Sequence, residues 1–89
     1  MRVNLMVFAY MANYDKWLEE AFLPDASRRS LVCDDSRTTV ARISETKAII
    51  LMYDVEMEAM EKHMNAKQMK VLEEKFNVEH EIFTFSPID

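Results

Sequence analysis

The stretch RTTVARISETKAIILMYD, residues 37–54, decides how this chain is read. It holds two β-rich runs, RTTVARI and KAIILMYD, joined by Ser44, Glu45 and Thr46. Two such runs across so short a link predict an antiparallel β-hairpin, unusual here because no glycine stands at its turn. The second run is apolar without a break from Ala48 to Tyr53, as in a strand covered on both faces. A central strand is expected there, with other strands beside it.

Upstream, RVNLMVFAYM (residues 2–11) is short and rich in β-branched and aromatic residues, and reads as a strand. Val3, Leu5, Val7 and Ala9 share one face, and Asn4, Met6, Phe8 and Tyr10 share the other. Both faces are largely apolar. Asn13 then supplies a helix cap, with Asp15 favourable in the first turn. Tyr14, Trp17, Leu18, Ala21 and Phe22 follow at helical spacing as one apolar stripe, with Lys16, Glu19 and Glu20 opposite. Pro24 restricts Leu23 and is expected to end the helix there. Trp17, the sole tryptophan, lies mid-stripe and is expected to pack the helix on the sheet and to wall any cleft beneath it. A short helical turn over residues 25–31 and a loop complete this side.

Downstream, Asp54 is read as the cap of a long helical segment carrying Met57, Met60 and Met64 on one stripe. Asn65, with Gln68 three residues on, marks a second start and hence a kink. Met69, Leu72 and Phe76 continue the stripe, and Asn77 takes the left-handed C-cap position. VEHEIFTF (residues 78–85) is the last strand, and SPID a tail. The order β-α-β-β-α-β is the ferredoxin-like α+β pattern, a four-stranded antiparallel sheet with both helices on one face, in one domain over residues 1–89. Two helices cover only one side of that sheet. The other side still carries large apolar groups, so a homodimer through the sheet face is expected.

Composition narrows the function classes. A net charge of −5 disfavours nucleic acid as a partner. Arg28, Arg29, Arg37 and Arg42 cluster, yet Asp34 and Asp35 interrupt them and weaken an anion site. The lone Cys33 rules out an intrachain disulfide and points to a reducing, cytoplasmic setting. Its acidic neighbours disfavour a reactive thiolate. The N-terminal apolar run is broken by Asn4, which favours a strand over a signal peptide, and no run nears the ~18 residues that span a bilayer. With no glycine, positive φ must fall on Asn, Asp or a strained residue, so Asn13, Asn65 and Asn77 are punctuation candidates. Eight methionines suit an irregular core or pocket.

The element order, the Asn-x-Asp-x-Trp start of the first helix (Asn13, Asp15, Trp17) and the restart at Asn65 resemble the dimeric α+β barrel superfamily that includes the antibiotic-biosynthesis-monooxygenase-like proteins. NYDKW and KAIILMYDVE resemble stretches of its small uncharacterised families. The resemblance implies a sheet-to-sheet homodimer with a cleft between each sheet and its helices. It also implies a choice of chemistries: cofactor-independent oxygenation, haem degradation, isomerisation, or none. The haem-degrading branch has an Asn on strand one, an aromatic residue ending strand three, and an iron-ligating histidine on the next helix. Asn4, Tyr53 and His63 follow that order, although the branch carries Trp where this chain has Tyr53.

The candidate catalytic residues are therefore Asn4, Tyr53 and His63, and the candidate ligand-binding residues are Trp17, Tyr53 and His63. His80 alternates with Glu79 and Glu81, which puts it on the opposite face from both and makes a metal site on that strand geometrically poor. No resident metal or cofactor is expected, with haem as the alternative. Three readings follow: a homodimer binding a small apolar or aromatic molecule without catalysis, an oxygenase or haem-handling enzyme in the same cleft, and a protein-interaction module built on Met57, Met60 and Met64.

Overall fold

The structure, a computed structural model, describes residues 2–86. Four antiparallel strands, β1 (Arg2–Tyr10), β2 (Thr39–Ser44), β3 (Lys47–Glu56) and β4 (Glu79–Phe85), form one sheet in the order β2-β3-β1-β4. Helices α1 (Tyr14–Trp17), α2 (Ala26–Arg29), α3 (Met57–Met64) and α4 (Lys67–Phe76) complete the α+β, ferredoxin-like fold. Beyond Ser86, the SPID tail lies outside the described residues.

Strand alternation sets the two faces of the sheet. Leu5 opposes Met52, Val7 opposes Ile50 and Ala9 opposes Ala48, and all six are buried beneath the helices. On the other face Met6 lies between Leu51 and Phe83, and Phe8 between Ile49 and Glu81. These residues are half-buried or exposed, so β3 is covered on one face only within this chain. The expectation of a strand covered on both faces corrects to that.

Absence of glycine explains several departures from the expected element boundaries. The hairpin turns on Glu45 and Thr46, and neither has positive φ. Its closing geometry is adjusted instead by a register shift between Arg42 and Ser44. The Ser44 hydroxyl accepts the Thr46 N–H at 3.2 Å. A second shift places Tyr53 and Asp54 together opposite Asn4, because Val3 pairs with Val55 while Leu5 pairs with Met52. Asp54 takes the left-handed conformation there (φ 53°), where its short polar side chain is tolerated. Its amide donates to Asn4 Oδ1 at 3.3 Å. Asp54 is thus a bulge residue rather than a helix cap. The cap of α3 is Glu56, whose side chain accepts the Glu58 amide.

The expected kink near Asn65 is present, with a different division of labour. Asn65 closes α3, donating from Nδ2 to the Glu61 carbonyl at 2.9 Å, and Ala66 precedes α4. Asn77 is left-handed (φ 55°, ψ 50°) and ends α4. Asn13 caps α1 through its Oδ1, which accepts the Lys16 amide at 3.0 Å. Pro24 does not end the first helical path. Leu23 stays helical (φ −64°, ψ −44°), and its amide reaches back five residues to the Leu18 carbonyl. The chain widens into a π turn over Leu18–Phe22 and tightens into a 3-10 turn over Leu23–Asp25 before α2. Pro24 sits early in that tight turn, where its missing N–H costs little.

Candidate functional site

A cleft runs between the helices and the covered face of the sheet, with an enclosed volume of about 80 Å³. Leu5, Val7, Ile50 and Met52 form its floor. Trp17 and Phe22 wall it from the first helical path, and Met60, Met64 and Met69 from α3 and α4. For scale, an apolar cavity of about 150 Å³ admits benzene. At roughly half that volume the space holds a short apolar chain or part of a ring, and a whole ring fits only if it extends out of the cleft or the methionine walls move. Ile82, on the lining from the edge strand β4, is 46% exposed.

Trp17 does what its place in the stripe implied. It is 4% exposed, with its ring centroid 5.9 Å from that of Tyr14 and 5.2 Å from that of Phe22. The path through the π turn carries this aromatic row onward to Asp25, which also lines the cleft. There the Asp25 carboxylate meets His63 Nε2 at 2.9 Å and Arg28 Nη1 at 3.2 Å. Asp25 and His63 are 7% and 8% exposed, respectively. A buried carboxylate survives only when paired, and here both of its oxygens are engaged. Arg29 is also buried, with Nε 2.9 Å from Asp35 Oδ1, Nη1 donating to the Phe22 carbonyl, and its guanidinium over the Phe22 ring. These contacts lock the Asp25 end in place.

The structure separates the residues that the sequence grouped. Trp17 and His63 line the cleft, whereas Asn4 and Tyr53 stand on the open side of the sheet. Asn4 accepts the bulge amide of Asp54, and Tyr53 lies between the Arg37 guanidinium and the edge of Phe85. The three groups do not converge on one pocket within this chain, and so do not form a haem site there. Asp25, Arg29 and Glu73 are charged cleft residues that sequence reasoning missed.

The other candidates resolve as follows. His80 lies on the cleft side and Glu81 on the open side, where it accepts from the Tyr10 hydroxyl. Burial pushes the His80 pKa down, with the nearby Glu73 carboxylate acting the other way. Burial pushes the Cys33 thiol up, its hydrogen bond to Thr38 opposes this, and Asp35 adds to it. The thiol is accordingly poor in thiolate. Each clustered arginine meets a carboxylate: Arg28 with Asp25, Arg29 with Asp35, Arg37 with Asp54, and Arg42 with Glu45.

The chain matches no family model, no curated protein and no solved structure. Among the described residues there is no group of three or more His, Cys, Asp or Glu side chains able to hold a metal ion. No helix among them is long and apolar enough to cross a membrane. Met60 is buried, and Met57 and Met64 are half-buried. The three do not form the exposed patch that a methionine interaction module requires.

Proposed function

We propose that this protein is a homodimeric α+β barrel, of the antibiotic-biosynthesis-monooxygenase-like kind its sequence resembles, that binds a small apolar or aromatic molecule in the helix–sheet cleft. The carrying observation is the cleft, a largely apolar space with aromatic and thioether walls and the buried His63–Asp25 pair on its lining. Ligand sites share that composition, an apolar lining with a few convergent polar groups that fix orientation. Support for the dimer comes from the open sheet face. Phe83 is 47% exposed there, with Phe8, Leu51 and Phe85 beside it, an apolar surface that a second copy would cover.

One observation favours an enzyme over a passive binder. The buried His63–Asp25 pair is the arrangement in which a carboxylate orients a general base, which supports chemistry without a cofactor. Haem handling has no such support, since Asn4 and Tyr53 stand across the sheet from His63.

Trp17 supplies the test. It is the only tryptophan and it walls the cleft, so its emission reports occupancy directly. Titration with toluene is expected to give a saturable change in emission that Trp17→Phe abolishes. A spectrum unchanged up to the solubility limit of toluene would contradict the binding reading.

A further inference from the structure

Resting on the cleft reading, the two helices over the cleft differ in how firmly they are held. The enclosed volume of about 80 Å³ is roughly half of what benzene needs, so a whole ring enters only if a wall gives way. α3 is fixed along its length. Met60 is buried beneath it, and near its end His63 Nε2 lies 2.9 Å from Asp25 Oδ2 in a buried pair. α4 is fixed at its C-terminal end only. Phe76 is buried there, and its carbonyl accepts the Ala12 N–H at 3.0 Å. The Val78 amide closes that end on the Glu73 carbonyl at 2.8 Å, and Lys75 pairs with Glu20 across the surface.

The other half of α4, residues 67–72, has no such ties. Among the described residues, neither its backbone nor its side chains form a hydrogen bond or ion pair with another element. Ala66, before the helix, is extended (φ −64°, ψ 144°), and its side chain gives the first amides no cap. No acidic side chain stands in the first turn, which carries Lys67 instead, against the helix dipole. Val71 is 55% exposed, and only Met69 and Leu72, both half-buried, reach the cleft lining from this half. Local opening costs least in a segment with uncapped amides and few buried apolar groups.

We propose that residues 67–72 are the lid of the cleft. α4 unwinds from Lys67 toward its pinned Phe76 end, takes Met69 and Leu72 off the lining, and admits a ring too large for the closed space. α3 is the fixed wall against which the lid closes. Lid motions of this kind run on the microsecond-to-millisecond scale and gate ligand entry.

Relaxation-dispersion NMR of the methionine methyls tests this on the wild-type protein. Met69 is expected to show exchange on that timescale, with Met52 on the sheet and Met60 on α3 free of it. Lineshapes of the same methyls during a toluene titration are expected to give an entry rate that levels off with concentration, at the opening rate Met69 reports. Ala66→Asp puts a carboxylate at the cap position, outside the cleft lining, and is expected to lower the opened population and the plateau rate about fivefold. Toluene shifts with Met69 as quiet as Met60, and an entry rate linear in toluene, would overturn the lid and leave the binding cleft standing. A capping variant with unchanged exchange and plateau would overturn unwinding from Lys67. No shift of any cleft methyl with toluene would overturn the lid together with the binding reading.

Discussion

At the scale of single residues, two histidines of the same cleft have different surroundings. His63 has an acid partner, while His80 is desolvated beside β4 with only Glu73 acting in its favour. Because burial lowers the His80 pKa, protonation is harder in the folded state than in the unfolded one. Above the ordinary value of 6.5 both states are neutral and His80 has no effect on stability. As pH falls through 6.5 toward the lower folded pKa, the unfolded state takes up its proton first and stability is lost. His80→Gln is expected to lose less melting temperature across that acid window than the wild type. Parallel curves for the two would contradict the assignment. His63 entered as a candidate from the sequence through its place after Asn4 and Tyr53, the order of the haem-degrading branch that the chain resembles. Its partner did not, since Asp25 follows a proline, reads as a turn residue, and lies far from His63 along the chain.

At the scale of elements, the strands and their order were legible because periodicity and apolar runs survive whatever the turns do. The boundaries were less so, and the missing glycines are the reason. Where a chain with glycine would signal its left-handed positions, this one hides them under Asp54 and Asn77. Asp54 looked like a helix cap because caps and left-handed positions favour the same short polar side chains. The two roles separate by substitution. Asp54→Ala is expected to destabilise the fold by about 1–2 kcal/mol in urea denaturation, from the left-handed backbone alone. Asp54→Gly is expected to be neutral or stabilising, although it also removes the ion pair with Arg37. If glycine proves as harmful as alanine, the backbone explanation fails. Pro24 misled for a different reason. The rule that a proline disfavours helix before it is a bias on the preceding residue, and Leu23 takes αR dihedrals against it, while Pro24 itself falls early in the 3-10 turn, where its missing N–H costs little.

At the scale of the whole molecule, the buried residues of the sheet lie on one face, beneath the helices, and its other face is left open within the chain. One face encloses the cleft, and the other presents Met6, Phe8, Leu51 and Phe83. The dimer proposal turns on that open face. Sedimentation equilibrium is expected to return twice the 10.5 kDa chain mass, and Phe83→Asp to reduce it to one chain without unfolding it. A wild-type protein that stays monomeric at high micromolar concentration would contradict sheet-to-sheet pairing. The two faces were distinguishable in the sequence, since strand alternation alone put Leu5, Val7 and Ala9 apart from Met6, Phe8 and Tyr10. That Asn4, Tyr53 and His63 share no pocket was not, because the bulge at Asp54 and the side of the sheet each residue faces emerge only from the register.

The most direct test of the central claim uses methyl NMR of protein labelled at its methionines, titrated with toluene. Met52, Met60, Met64 and Met69 line the cleft, whereas Met6 lies on the open face. Saturable shifts of the four cleft methyls, with Met6 unmoved, are expected. Shifts confined to Met6, or none at all, would contradict a ligand-binding cleft between the helices and the sheet.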